Sequence, residues 1–282
     1  MTETLTARQL LDRLVAFPTV SSSTNLPLIY FVRDYFLSHG IDSEVIPNED
    51  GTKAGLIAAV GPDITGGVAL SAHSDVVPVE GQNWTTEPWK IIEKDGKIYG
   101  RGTCDMKGFV ALAIAAMVKA KASNLKRPLQ FALSRDEEVG LLGAPDVAQG
   151  LLDKFAKVDA VLVGEPTEMK VVTGHKSCDD LQFHVRGHEV HSSLLHEGVS
   201  AVMCGARFVE WVRKQNVENQ AKAPSTVAAM YNPPFTTLHV GQINGGTANN
   251  ITAKDCYFAI DLRCVGDERP EDWRSKIQQE IA

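Results

Sequence analysis

Three apolar stretches with no hydrophobic alternation constrain the fold of this chain most: GGVALSA ending at Ala72, PLQFALS ending at Ser134 and DAVLV ending at Val163. A strand buried on both faces reads this way, and such strands belong to parallel or mixed sheets covered by helices on each side. Helical spacing stands around them, at residues 6–16, 25–39 and 106–122. Gly40 closes the second helix as a C′ residue. The third, MKGFVALAIAAMVKAKA, is rich in helix formers and lacks a polar face until its end, which predicts a buried helix. Shorter strand-like runs fall at residues 43–46 and 55–60, and Asp95-Gly96 between two apolar segments predicts a hairpin. The expected architecture is an α/β domain with a mixed sheet and helices on both faces.

The residues directly after each apolar run carry the chemistry. The first run leads into His73-Ser74-Asp75, the second into Arg135-Asp136-Glu137-Glu138, and the third into Gly164-Glu165-Pro166. A fourth connection, with turn-forming Gly100 and Gly102, delivers Asp105 to the start of the long helix. Ligands in open α/β sheets gather outside the carboxyl ends of the strands. His73, Asp105, Glu138 and Glu165 form a donor set suited to zinc or a similar divalent ion, with cobalt and manganese also accepting such ligands. Three carboxylates beside one histidine exceed the usual set of a single catalytic zinc. They predict two ions, roughly 3.5–4 Å apart, sharing a bridging carboxylate, for which Asp105 is the natural choice.

Asp75, two residues beyond His73, faces the same way on an extended strand end and can orient the imidazole. Adjacent glutamates point in opposed directions, which assigns Glu137 as general base and Glu138 as metal ligand. Each piece also has an ordinary reading. Asp105 could simply cap its helix, the glutamate pair could be a solvated turn, and Gly-Glu-Pro a plain loop. Their joint placement after buried strands favours the site.

After Gly174 the pattern changes. Strands are expected at 181–185, 236–243 and 256–264, with helices at 199–214 and 271–281. This β-α-β-β-α order matches a ferredoxin-like α+β domain, which normally closes with one more strand. The expected domains are 1–177 and 178–282, with the C-terminal part of both missing.

With a net charge of −7 and no basic run of five, the chain is not expected to track nucleic-acid phosphates. No apolar stretch approaches membrane-spanning length, and the acidic, amphipathic start MTETLTARQLLDRL differs from a signal peptide, so the expectation is no membrane and a cytoplasmic location. Five cysteines, odd in number and without a C-x-x-C pair, read as small buried hydrophobes.

The runs SAHSDVVPV, GRGTCDMKGF, SRDEEVG, GEPTEMKVVTGHK, VHSSLLHEGVSAV and GQINGGTANNIT closely resemble the co-catalytic zinc amidohydrolase and peptidase family, whose members include acetylornithine deacetylase, succinyl-diaminopimelate desuccinylase, aminoacylase and glutamate carboxypeptidase. The resemblance covers essentially the whole chain. It implies a zinc-peptidase-like catalytic domain and a ferredoxin-like dimerisation or lid domain, hence a homodimer. It also implies two divalent ions, zinc foremost, with His73 and Glu165 on one, Glu138 on the other, Asp105 bridging and Glu137 as base. His191, in the G-x-x-x-H-S-S pattern, is implied to reach a partner's active site and hold the oxyanion; Asn250 and Arg263 are implied to contact substrate. Through GRGTCDMKGF, GEPT and VVTGHK, the resemblance implies hydrolysis of an N-acyl amino acid, first N2-acetyl-L-ornithine as in arginine biosynthesis. The alternatives are a desuccinylase, an aminoacylase or a dipeptidase, or a truncated non-catalytic relative that associates through its second domain.

Three positions depart from the family pattern. The family takes a final metal histidine from a C-terminal return segment, whereas the last histidine here is His239, so this stretch alone is expected to be a ligand short and poorly folded or inactive. Ser177 replaces the glycine after His-Lys, and Arg135 stands where an aromatic is common.

Overall fold

The computed structural model describes residues 3–281. They divide into two compact units, Met1–Lys170 and Val171–Ala282, a division that falls before the expected residue 177.

The first unit opens with α1 (Ala7–Val15), whose start is a capping box. The Thr6 side chain accepts the Gln9 N–H, while the Gln9 side chain accepts the Thr6 N–H. Then come α2 (Leu26–Ser38), β1 (Ser43–Pro47), β2 (Ala54–Val60) and β3 (Val68–His73). A small hairpin, β4 (Ile92–Lys94) and β5 (Lys97–Tyr99), turns at Asp95 and Gly96 with φ of 53° and 72°, the left-handed pair its sequence calls for. The unit continues with α3 (Lys107–Lys121), β6 (Leu129–Ser134), α4 (Ala144–Lys154) and β7 (Ala160–Val163).

Its five strands lie in the order β1-β2-β6-β3-β7. β1 pairs antiparallel with β2 and β2 with β6, whereas β3 runs parallel to both β6 and β7. The sheet is mixed, and the carboxyl ends of β3, β6 and β7 share one edge. β3 and β6 are largely buried as their apolar runs predict, whereas β7, expected to be buried on both faces, is an edge strand exposed along its whole length. On one face α1, α2 and α3 form the main core around Leu14, Ile29, Phe36, Ile114 and Phe131. Phe36 meets Phe131 edge to face, centroids 5.5 Å apart. On the other face α4 covers Ile57 and Ala132 through Val147. α4 is not among the elements expected from the sequence, although Val147, Leu151 and Phe155 recur at four-residue spacing on the side that packs against the sheet.

In the second unit, β8 (Asp179–Arg186), α5 (Ala201–Ala221), β9 (Thr237–Gly245), β10 (Asp255–Arg263) and α6 (Pro270–Ile281) follow in order. β10 is the central strand of an all-antiparallel sheet, β8-β10-β9. Its inward residues Cys256, Phe258, Ile260 and Leu262 pack with Phe208 and Val212 of α5 and Trp273 of α6. Phe183 stacks on Phe258 at 4.9 Å. α5 extends past the expected residue 214 because Asn216 and Asn219 anchor its last turns: their side-chain amides donate to the carbonyls of Leu238 and Thr236. Among the described residues no helix is long and apolar enough to cross a membrane.

Candidate metal centre

β3 ends on His73, side by side with Ser134 at the end of β6. The imidazole is buried and turns its Nε2 to the carboxyl edge of the sheet, 3.0 Å from Asp105 Oδ1. Glu165 Oε1 stands 3.7 Å and Glu137 Oε2 3.8 Å from the same nitrogen. Two sets of donor atoms close enough to share an ion result: His73, Asp105 and Glu138, and His73, Glu137 and Glu165. No second histidine joins either set among the described residues.

Each side chain arrives by a different local device. Gly100 and Gly102 take φ of 159° and 80°, and at Gly102 a side chain would press on Val76, so the tight turn before Asp105 needs glycine there. Asp105 itself does not cap the helix. α3 begins at Lys107, behind Met106, with no side-chain cap, and the Asp105 carboxylate goes to His73 instead. Lys107, the first helical residue, is fully buried and donates to the Phe17 carbonyl at 2.7 Å. Its burial, opposed weakly by Asp75, pulls its pKa down to about 7.

Asp75 plays a wider part than its spacing suggests. His73 Nδ1 meets the Asp75 main-chain oxygen at 2.9 Å, while the carboxylate stands 3.6 Å away. That carboxylate instead accepts the Ser21 hydroxyl at 2.7 Å and the backbone N–H groups of Glu137 and Glu138 at 3.1 and 3.3 Å. Burial alone would raise its pKa, but the bonds with His73, Ser21 and Glu137 outweigh it and hold the group below the usual carboxylate range.

The electrostatics point to a missing positive charge. Burial lowers the His73 pKa as the largest single effect, yet the bond to Asp105 and the nearby Asp75 and Glu137 carboxylates prevail and raise it to about 10. Glu138 moves up to about 7, first through burial and then through the repulsion of Asp105. One imidazole among four carboxylates is thus short of cation, which is the condition a divalent ion relieves.

The three remaining predicted site residues lie in the second unit. His191 precedes a 3-10 turn, Ser192–Glu197, and its Nδ1 accepts the Ser193 N–H at 3.3 Å. Its strand bridge to Ile251 places it beside Asn250, whose carbonyl accepts the Ser192 N–H at 2.8 Å. Arg263 ends β10, half-exposed, with Nε on Asp261 Oδ1 at 2.7 Å. Sequence reasoning passes over Ser21, Lys53 and Asp136, which support the Glu137 loop from behind. Ser21 and Lys53 carry no local signal, while Asp136 lies within the Arg-Asp-Glu-Glu run itself.

The sequence pattern of peptidase family M20/M25/M40 matches residues 69–259. A protein named acetylornithine deacetylase from Pasteurella multocida (strain Pm70) is 32% identical over 97% of this chain and 72% of its own length. One of the same name from Myxococcus xanthus is 36% identical over 96% and 70%. Among solved structures, an M20 family metallo-carboxypeptidase from Sulfolobus solfataricus, Sso-CP2, shares the fold with a TM-score of 0.73 at 15% identity, over all of this chain and 75% of that one.

Proposed function

This chain belongs to peptidase family M20/M25/M40, a family of hydrolases, and on that premise we propose that it hydrolyses an N-acyl amino acid, N2-acetyl-L-ornithine first, to the free amino acid and a carboxylate. The observation that carries the reading is the gathering of His73 with Asp105, Glu137, Glu138 and Glu165 at one sheet edge. The names of the two relatives supply the substrate.

The donor set suits divalent ions, zinc foremost, with His73 the one histidine available to two of them among the described residues. His73 and Glu165 would hold one, Glu138 the other, and Asp105 both. Bound there, the ions supply Lewis acidity, polarising the scissile carbonyl and lowering the pKa of a water. Glu137 takes the proton of that water as its oxygen adds to the amide carbon. It returns the proton to the nitrogen as the C–N bond breaks, so the amine leaves neutral. Asp75 keeps the Glu137 backbone in place during both transfers.

His191 serves the oxyanion. With Nδ1 accepting from Ser193, the imidazole proton sits on Nε2, which leaves that N–H as an outward donor. In this reading the second unit is a ferredoxin-like dimerisation domain, supported by its strand order, and His191 acts in the site of a second copy. Arg263 offers a guanidinium fork to the substrate α-carboxylate and Asn250 a side-chain amide.

The test is Glu137→Gln in the zinc-loaded full chain, measured against a panel of N2-acetyl-ornithine, succinyl-diaminopimelate, N-acetyl-methionine and a dipeptide. Acetyl-ornithine should lead the panel. The substitution should lower kcat by about 10²- to 10⁴-fold with the metal retained. Near-parental turnover with metal bound would remove Glu137 from its role, and a different leading substrate would replace the deacetylase reading with a sibling.

A further inference from the structure

Glu137 follows directly on a residue in an unusual conformation. Asp136 has φ of 54°, a left-handed backbone that aspartate tolerates better than most residues, and it is only 5% exposed. Both of its carboxylate oxygens are engaged. Oδ1 accepts the Lys53 ammonium, and Oδ2 accepts Arg135 Nη1 at 2.8 Å. Arg135 is itself fixed to the first turn of α4, its Nη2 donating to Asp146 at 2.7 Å. Lys53 completes the arrangement: its ammonium also donates to the Ser21 carbonyl at 2.6 Å, and the Ser21 hydroxyl reaches the Asp75 carboxylate that holds the Glu137 and Glu138 amides.

A closed circuit results. From Asp75 it runs through Ser21 and Lys53 to Asp136, then along the chain to Glu137 and back to Asp75. Its members are buried or half-buried, and a paired charge in such a place is rigid because releasing either partner leaves a charge unsatisfied.

We propose that Asp136, clasped between Lys53 and Arg135, is the positioning residue that aims Glu137 at the water it deprotonates. The proposal rests on the reading of Glu137 as general base. Asp136 touches no substrate. It fixes the turn at which the chain leaves β6, and a shift of about 1 Å in a reacting group costs on the order of 10²-fold in rate.

Three variants separate this from a general loss of stability. Asp136→Gly keeps the left-handed turn and deletes both clasp contacts. Lys53→Met removes one arm and Lys53→Arg restores its charge. In the metal-free chain, amide exchange at Glu137 and Glu138 should quicken about tenfold or more in Asp136→Gly and Lys53→Met, while Phe131 and Leu133 in β6 stay protected. In the zinc-loaded chain the same two variants should lose about 10- to 100-fold in kcat, with KM within about twofold and zinc content unchanged. Lys53→Arg should recover most of the loss.

Unchanged exchange at the two glutamates, exchange that quickens throughout β6, unaltered kcat, or failure of Lys53→Arg to recover would each overturn the proposal. Glu137→Gln is run in parallel. If that variant keeps its turnover, the base assignment fails, and the exchange data then show a clasp with no catalytic group to aim.

Discussion

Asp75 holds Glu137 by the backbone: its Oδ1 accepts the Glu137 N–H at 3.1 Å, while its main-chain oxygen meets His73 Nδ1 at 2.9 Å. One buried aspartate therefore fixes both the imidazole and the loop that carries the glutamate pair. Asp75→Asn replaces one acceptor oxygen with an NH₂ group, which cannot accept from a backbone amide. The variant should fold, lose about 10- to 100-fold in metal affinity or in kcat/KM, and show faster exchange at the Glu137 amide. Titration calorimetry with zinc and steady-state kinetics decide it. Parental values in both would mean that His73 and Glu137 are held without Asp75.

Metal uptake should release protons. In the metal-free site the His73 pKa is raised to about 10 and that of Glu138 to about 7, so at pH 7 the imidazole is protonated and Glu138 is divided between its two forms. A metal ligand must be neutral imidazole or carboxylate. Binding at pH 7 should then expel between about one and two protons per chain, and apparent affinity should climb as pH rises from 6 to 9. Calorimetry in two buffers of different ionisation enthalpy measures the release directly. Heats that do not depend on the buffer would show that the ligands are already deprotonated.

How far the sequence reveals this arrangement depends on how local each signal is. The strands that end in His73, Ser134 and Val163 are legible as strands because an apolar run without alternation is a property of a few consecutive residues, but the burial read from that run holds for β3 and β6 and fails for the exposed edge strand β7. Helix α4 is passed over although its signal is local: Val147, Leu151 and Phe155 repeat at four-residue spacing on the face packed against the sheet. Only Val147 of these is fully buried, and Gly150, which lies where a side chain would overlap Ile46 of β1, reads as a helix breaker.

The glutamate pair stands where the sequence places it, but for a different physical reason. Strand alternation would separate Glu137 from Glu138 only if the strand reached them; β6 ends at Ser134, and the left-handed turn at Asp136 sets their directions. Asp105 likewise stands at the expected place in the chain, although α3 starts too late for it to serve as a cap. The polar supports, Lys53 just before β2 and Ser21 from the loop before α2, are far from Glu137 in sequence, and no spacing rule links them.

Arg263 gives a test of substrate class. Its guanidinium is half-exposed and paired with Asp261, a geometry that leaves its Nη groups for a ligand carboxylate. Arg263→Met should raise KM for an N-acyl amino acid by about tenfold, the equivalent of one charge-assisted hydrogen bond, and leave KM for the matching α-carboxamide unchanged. An equal rise for both would show that Arg263 does not read the carboxylate.

Glu165 owes its position to the glycine before it. A side chain at Gly164 would overlap the ring of Phe109 on α3, and Gly164 N–H donates to Ser71 O at 3.1 Å, continuing the β3–β7 ladder by one residue. Gly164→Ala must therefore displace either the ring, which packs on the main core, or the chain that presents Glu165. Overpacking of this kind costs about 1–3 kcal/mol, and a displaced Glu165 should weaken zinc binding as well. Removing the obstacle tests the cause: Phe109→Leu in the Gly164→Ala background should recover stability and zinc affinity together, so that the two substitutions are strongly non-additive in a thermal and calorimetric double-mutant cycle. Additive effects, or zinc affinity unaltered in Gly164→Ala, would mean that Glu165 is placed by contacts other than the close approach of Gly164 to Phe109.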